Sequence, residues 1–160
     1  MMKTYNVLFV CLGNICRSPA AEGIFRSMVE NEKLSDKISV DSAGTSGYHD
    51  GELPDSRMRS HGSRRGYRFN SLSRKFRNSD FDKFDIILAM DDSNYNNIMR
   101  QSPDLESDKK VYRMADFLQH MEADHIPDPY YSGAEGFELV LDLLEDSCRG
   151  LLDKIKKDEL

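Results

Sequence analysis

The stretch from Val7 to Glu22 constrains this chain more than any other. Val7-Leu8-Phe9-Val10 is an apolar run too short for a helix and rich in Val and Phe, so it reads as a buried strand. Pro19-Ala20-Ala21-Glu22 reads as the start of a helix, with Pro19 at its first position. Between them lies Cys11-Leu12-Gly13-Asn14-Ile15-Cys16-Arg17-Ser18. A loop that leaves a buried strand and enters a helix N-terminus can turn successive N–H groups inward, and the helix dipole adds positive potential. Such a loop is expected to hold an anion.

The residue types in the loop fit one chemistry. An anion nest beside Arg17 favours the thiolate of Cys11, a good nucleophile toward phosphorus. Arg17 offers a planar fork that grips two phosphoryl oxygens at once. Gly13 and Asn14 tolerate the positive φ that a tight anion-wrapping loop needs. The Ser18 hydroxyl is placed to donate a hydrogen bond to the thiolate. A buried structural cysteine with an unrelated arginine is the alternative for Cys-x5-Arg alone; the strand before it and the Ser-Pro helix start after it favour a site. The nucleotide-binding G-x-x-x-x-G-K-[ST] and the dinucleotide G-x-G-x-x-G patterns are both absent.

Phosphoryl transfer from a phenol needs a proton for the leaving oxygen, so a carboxylic acid must face the thiolate. Asp128 sits in Ile126-Pro127-Asp128-Pro129, where each proline fixes its own φ and restricts the residue before it. A stiff segment can hold an acid in place. The alternative is a surface Asp-Pro turn; the signature loop and the adjacent Tyr130 and Tyr131 favour the acid.

With these residues in hand the chain resembles the low-molecular-weight protein tyrosine phosphatases. Cys11 to Ser18 with Pro19-Ala20 is similar to the signature loop of that family. Asp41-Ser42-Ala43-Gly44-Thr45 resembles its segment at the end of the second strand, and Asp128-Pro129-Tyr130-Tyr131 its general-acid loop. Phe84 to Asp91 resembles its third strand and the turn after it. The likeness runs nearly end to end, in the family's order and spacing.

The resemblance implies a fold, a reaction and residue roles. The fold is an α/β three-layer sandwich, a central four-stranded parallel sheet with helices on both faces, in one domain over residues 1–160. The reaction is hydrolysis of phosphotyrosine through a cysteinyl-phosphate, without cofactor or metal. Cys11 is the nucleophile, and Arg17 with the amides of Leu12, Gly13, Asn14, Ile15 and Cys16 holds the phosphate. Ser18 hydrogen-bonds the thiolate, and Asn14 braces the loop against Ser42. Asp128 is acid, then base. Tyr130 and Tyr131 wall one side of the slot, with Leu12 and Tyr48 on the other lip. Many members carry a His before the third helix, paired with the Asp after the third strand; alignment on Arg74 and Asp80-Phe81 puts Ser71 there, with Asp91 as the would-be partner.

The same residues oppose three rival activities. Arsenate reduction, run on a related scaffold, needs extra cysteines near the end of the third strand, where Ala89 and Met90 supply none. Phosphoarginine hydrolysis goes with Thr in place of Ile15 and without the paired tyrosines. A non-catalytic phosphotyrosine-binding module is opposed by intact Cys11, Arg17 and Asp128.

The 160 residues carry a formal net charge of −6, which opposes nucleic-acid binding. Against that trend, Arg57 to Arg77 holds Arg57, Arg59, Arg64, Arg65, Arg68, Arg74, Lys75 and Arg77 with no acid. This run reads as a solvated face or as a basic rim that guides acidic phosphoproteins to the slot. The three cysteines have no framework spacing, so a reducing, cytoplasmic setting is expected. Cys148 falls on an apolar helical stripe and reads as a core thiol. Cys16 reads either as a packing residue or as the partner of a reversible disulfide with Cys11.

His49, His61, His120 and His125 form no ligand cluster and are expected at the surface. Met1-Met2-Lys3 with the following apolar run imitates a secretion signal, but cleavage would remove Cys11 and Arg17. The final Lys157-Asp158-Glu159-Leu160 matches a retrieval tag and is read as coincidence. No run reaches membrane-spanning length, so no membrane partner is expected, and no nucleic acid; the resemblance implies phosphotyrosine proteins or peptides as partners. A monomer is expected, with weak self-association as the alternative.

Strands are expected at about 6–11, 38–42, 85–90 and 110–113, alternating with helices at 19–31 and 55–61. A short helix is expected near 79–83. A further helix follows Asp92 as its cap and ends by Ser102-Pro103. A long C-terminal helix is marked by Phe137, Val140, Leu141, Leu144, Cys148, Leu151, Leu152 and Ile155. Such alternation implies a parallel sheet covered on both faces, with the site at the carboxyl end of the first strand.

Overall fold

The computed structural model describes residues 2–160. Its sheet grows from the first apolar run, which forms β1 over Tyr5–Cys11. Val7 and Phe9 enter one apolar cluster and Leu8 and Val10 another, because successive strand residues face opposite sides. β3, Ile86–Ala89, repeats the split, with Ile86 and Leu88 on one side and Ile87 and Ala89 on the other. Burial on both faces is why these strands read as continuous apolar sequence rather than as alternation.

β2 spans Ile38–Gly44 and β4 Val111–Arg113. All pairings are parallel, in the order β2-β1-β3-β4. On one face, α1 (Arg17–Asn31) and α6 (Ala134–Lys156) bring Ile24, Phe25, Leu141 and Leu144 onto Val7 and Phe9. The other face is covered by α3 (Asp80–Lys83) and α4 (Asp92–Gln101), whose Phe81 and Ile98 meet Leu8 and Val10. The expected three-layer α/β sandwich is the fold observed. α2 (Ser56–Arg64) lies beside α6, and Cys148 is fully buried within the α1–α6 layer. Gly150 lets α6 lie directly on the 3-10 turn at Met114–Phe117, since a Cβ there would sit 2.0 Å from the Phe117 carbonyl oxygen.

Several boundaries differ from expectation. α1 begins at Arg17, so Pro19 is its third residue and not its first. The change costs no helical hydrogen bond, because the first turn's N–H groups have no partners within the helix. β2 runs on to Gly44 because Ala43 and Gly44 continue the ladder against Val10 and Cys11. α2 extends past His61 to Arg64, and Asp55 is its cap, accepting from the Arg57 N–H at 2.8 Å. The cap of α4 is Asp91, not Asp92: Asp91 accepts from the Asn94 N–H at 2.8 Å, while Asp92 turns outward to Arg113. The short helix α5, Leu105–Asp108, and the 3-10 turn carry no apolar period long enough to announce them. His61 is not at the surface. It is buried, stacked on Phe137 and bonded to Glu138.

Candidate active site

The loop after β1 is shaped by what its carbonyls do. The oxygens of Cys11, Leu12 and Ile15 accept from the N–H groups of Thr45 (2.9 Å), Ser46 (2.9 Å) and Asp55 (2.7 Å). The Gly13 oxygen accepts from the Ser73 hydroxyl at 3.2 Å. With the carbonyls tied outward, the N–H groups from Leu12 to Cys16 donate to no protein acceptor among the described residues. Convergent free amides at a helix N-terminus make an anion nest. Asn14 is the one loop residue with positive φ, +56°, and Gly13 has none. Gly44 closes the back of the loop, where a Cβ would lie 2.8 Å from the Leu12 oxygen.

Below the nest is a buried polar network. The Cys11 Sγ is 3.0 Å from the Ser18 Oγ. Asn14 Nδ2 donates to Ser18 Oγ at 2.7 Å and to Ser42 Oγ at 2.9 Å, and its Oδ1 accepts from the Arg74 N–H at 3.0 Å. Ser42 in turn donates to Glu22, a buried carboxylate that also holds Arg26. The pairing of Ser71 with Asp91 does not form. Asp91 is committed to Arg17 and to the α4 cap, and Arg74 instead packs beside the loop, bonded to Asp41 and Asp80.

Arg17 is nearly fully buried. Its Nη1 donates to Asp91 Oδ2 at 2.7 Å and to the Ile126 oxygen at 3.0 Å, and its Nη2 lies 3.7 Å from Asp128 Oδ2. Burial opposes the guanidinium charge, but Cys11, Asp91 and Asp128 outweigh it and raise the pKa. Ile126 also donates its N–H to the Met90 oxygen at 2.8 Å, so it pins the acid segment to the end of β3. The Asp128 carboxylate is partly exposed and accepts from the Tyr130 N–H at 3.1 Å. Burial, then Asp55, Cys11 and Asp128, push the Cys16 thiol well up, so Cys16 stays a neutral thiol beside the loop.

Above the nest opens a slot of about 490 Å³. The loop residues Cys11, Leu12, Gly13, Ile15 and Cys16 line it with Arg17, and so do Asp128, Tyr48, Tyr130 and Tyr131. The two tyrosine rings meet edge to face at 4.9 Å, and Arg57 stacks on Tyr130 at 5.3 Å. Among the expected site residues, only Asn14, Ser18, Ser42 and Asp91 lie outside the slot lining, and each bonds to a residue of the loop or of α1's first turn. Ser46 and His49 also line the slot and were not foreseen. Nor were Asp55, Ser73, Glu22 and Ile126, which act through contacts distant in sequence.

The chain that carries this thiol, buried arginine and acid matches one family along almost its whole length. The profile of the low molecular weight phosphotyrosine protein phosphatases covers residues 6–160. The chain belongs to that family. This phosphatase is 49% identical over 152 residues to a Synechocystis protein provisionally named a low molecular weight protein-tyrosine-phosphatase, covering 95% of this chain and 97% of the relative. It superposes on the Entamoeba histolytica protein tyrosine phosphatase solved with Hepes in the active site, with TM-score 0.96 and 45% identity over 98% of this chain and 100% of that one. A Drosophila arginine phosphatase shares the fold at TM-score 0.88 and 34% identity, over 95% and 98% of the two chains. The phosphatase is a hydrolase of phosphate monoesters, and phosphoproteins are its substrates.

Proposed function

We propose that Cys11, Arg17 and Asp128 carry out phosphotyrosine hydrolysis in two in-line displacements. The Cys11 thiolate attacks phosphorus, and an S–P bond forms as the bond to the phenolic oxygen breaks. The transition state is loose, with charge spread over three equatorial oxygens. The free amides from Leu12 to Cys16 and the Arg17 fork meet those oxygens without reorganising, because the outward hydrogen bonds already fix the loop. Asp128 gives its proton to the departing phenolate. It then takes a proton from water, which attacks the cysteinyl-phosphate; inorganic phosphate leaves and the thiolate returns. The Ser18 hydroxyl at 3.0 Å stabilises that thiolate as nucleophile and as leaving group.

The observation that carries this reading is the Arg17 guanidinium, held between Asp91 and Asp128 in the lining of the slot that also holds Cys11. Hepes in the active site of the Entamoeba relative adds support, since a sulfonate presents three oxygens as a phosphoryl group does. Tyr130, Tyr131, Leu12 and Tyr48 line the slot and offer an aryl ring aromatic and apolar surface, which favours a phenolic over an alkyl phosphate. The whole chain acts as one phosphatase domain and as a monomer. A cytoplasmic setting accords with three unbridged cysteines; among the described residues no helix is long and apolar enough to cross a membrane. The net charge of −6 argues for protein substrates over nucleic acid or anionic membrane.

The test compares matched phosphotyrosine, phosphoserine and phosphoarginine peptides, with Cys11→Ser as control. The expected order puts phosphotyrosine far ahead, with no turnover in Cys11→Ser. A preference for phosphoarginine would move this chain to the activity of the Drosophila neighbour.

A further inference from the structure

The basic run from Arg57 to Arg77 divides in two once its partners are known. Arg57 pairs with Asp55, Arg65 with Glu138, Asp142 and Glu145, and Arg74 with Asp41 and Asp80. Those three serve the fold. Arg59, Arg64, Arg68, Lys75 and Arg77 have no carboxylate in ion-pair reach among the described residues, in a chain with 28 acids against 22 Lys and Arg.

Two of the unpaired arginines share a groove. Ser56, Arg59, Ser60 and Ser63 are spaced to lie on one exposed face of α2. The chain returns alongside as residues 67–70, pinned by Phe69. That ring fills the space over two glycines, where a Cβ on Gly62 would approach it to 2.2 Å and one on Gly23 to 2.5 Å. Phe69 is buried while Arg68 and Asn70 stay exposed. Between helix and return segment lies a groove of about 460 Å³, lined by Arg59, Arg68, Ser60, Ser63 and Asn70 over an apolar side that includes Leu53. No carboxylate lines it. Arg59 Nε donates to the Pro54 oxygen at 2.9 Å, which orients the side chain and leaves both Nη groups free.

The groove starts beside the active site. Asp55, whose side chain caps α2, donates its N–H to the oxygen of Ile15, a residue that lines the slot. From Asp55 to Ser63 the helix rises roughly 12 Å at 1.5 Å per residue. An extended peptide covers roughly 3.3 Å per residue, so about four residues span that length.

We propose that this groove docks an acidic segment of the phosphotyrosine substrate, a few residues away from the phosphorylated tyrosine. The proposal rests on the phosphatase reading and names a substrate class for it. Arginine forks receive Asp and Glu side chains in bidentate fashion, and the seryl hydroxyls and the Asn70 amide donate to whatever oxygens remain. The apolar side accepts the peptide's methylene groups.

The experiment uses two phosphotyrosine peptides that differ only in a flanking run of Glu or Gln, with 4-nitrophenyl phosphate as a reference too small to reach the groove. Wild-type enzyme at low salt should favour the Glu peptide by roughly five- to tenfold in kcat/KM, mostly through KM. Arg59→Gln/Arg68→Gln should abolish that preference, with 4-nitrophenyl phosphate turnover as the measure of an intact slot. Arg59→Lys/Arg68→Lys should restore part of it. Arg77→Gln/Arg100→Gln, which removes equal charge elsewhere, should leave it intact. Equal kcat/KM for the two peptides in the wild type overturns the proposal. So does a preference that survives Arg59→Gln/Arg68→Gln or is lost equally in Arg77→Gln/Arg100→Gln. A single-stranded oligonucleotide that displaces the Glu peptide at comparable charge would assign the groove to nucleic acid and also overturn it. Failure of wild-type enzyme on 4-nitrophenyl phosphate would strike the phosphatase reading instead.

Discussion

Replacing Asn14 separates the two things it does for the phosphate loop. Its side chain makes three hydrogen bonds, two buried ones to seryl oxygens and a partly buried one from the Arg74 N–H. Its backbone holds φ at +56°. In Asn14→Ala, Ser18 keeps Cys11 and the Ala43 oxygen as partners and Ser42 keeps Glu22. The Arg74 N–H loses the acceptor that Asn14 supplied, at a cost of about 1–3 kcal/mol for a buried unpaired donor. Alanine lacks the short polar side chain that lets asparagine tolerate the left-handed region, which adds up to about 1–2 kcal/mol. The sum is roughly 2–5 kcal/mol, or a fall in Tm of about 10 °C for a chain of this size. Asn14→Gly removes the same hydrogen bonds without the left-handed strain, and should unfold between the wild type and Asn14→Ala. Both variants should bind inorganic phosphate more weakly, read as Ki against 4-nitrophenyl phosphate, because the amides are no longer braced. Wild-type Tm and Ki in Asn14→Gly would refute the bracing role, and equal Tm for the two variants would refute the strain.

Arg17→Lys keeps the charge but loses the fork and the geometry set by Asp91 and Ile126; kcat/KM for a phosphotyrosine peptide should fall by roughly 10²–10³. Gly150→Ala should cost roughly 2–3 kcal/mol in urea unfolding, because its Cβ overlaps the Phe117 oxygen and backbone must shift to admit it. Acid should destabilise the fold through carboxyls held below their ordinary values. Arg57 lowers Asp55, and Arg65 then His61 lower Glu138. At Asp146, burial opposes ionisation, but the N–H groups of Met121, His120 and Gln119 outweigh it. A depressed folded pKa stabilises above the unfolded value and is lost as pH falls. Urea unfolding should therefore show a plateau above about pH 6 and a decline below about pH 5.

The site was legible where it is local. Cys11 to Ser18 are contiguous, and the strand and helix that flank them announce themselves by composition, so the nest and its thiol could be read without a structure. The prolines on both sides of Asp128 mark a stiff segment, but it took the signature loop and the adjacent Tyr130 and Tyr131 to favour an acid there over a surface turn. Asp91 was picked out, but its actual partner was not. Its bond to Arg17 spans 74 residues, and no periodicity or spacing encodes such a contact. The same holds for Ile126, 109 residues from the guanidinium it orients, and for Ser73, 60 residues from the loop carbonyl it holds. His61 looked like a surface residue of a basic helix. It is buried because Phe137 and Glu138 of the distant α6 close over it. The helix boundary at Arg17 was missed because proline suits several positions of a first turn.

The central claim, that Cys11 takes the phosphoryl group and Asp128 moves the protons, meets its most direct test in rapid-quench mass spectrometry of Asp128→Ala turning over 4-nitrophenyl phosphate. That leaving group departs without a proton, so the first step survives, while hydrolysis of the intermediate lacks its base. A phosphoenzyme should build up well above the wild-type level, with the phosphoryl group on Cys11 in the peptide that spans the loop. A phosphoryl group on any other residue, or no accumulation while nitrophenolate is released in a stoichiometric burst, would contradict the mechanism.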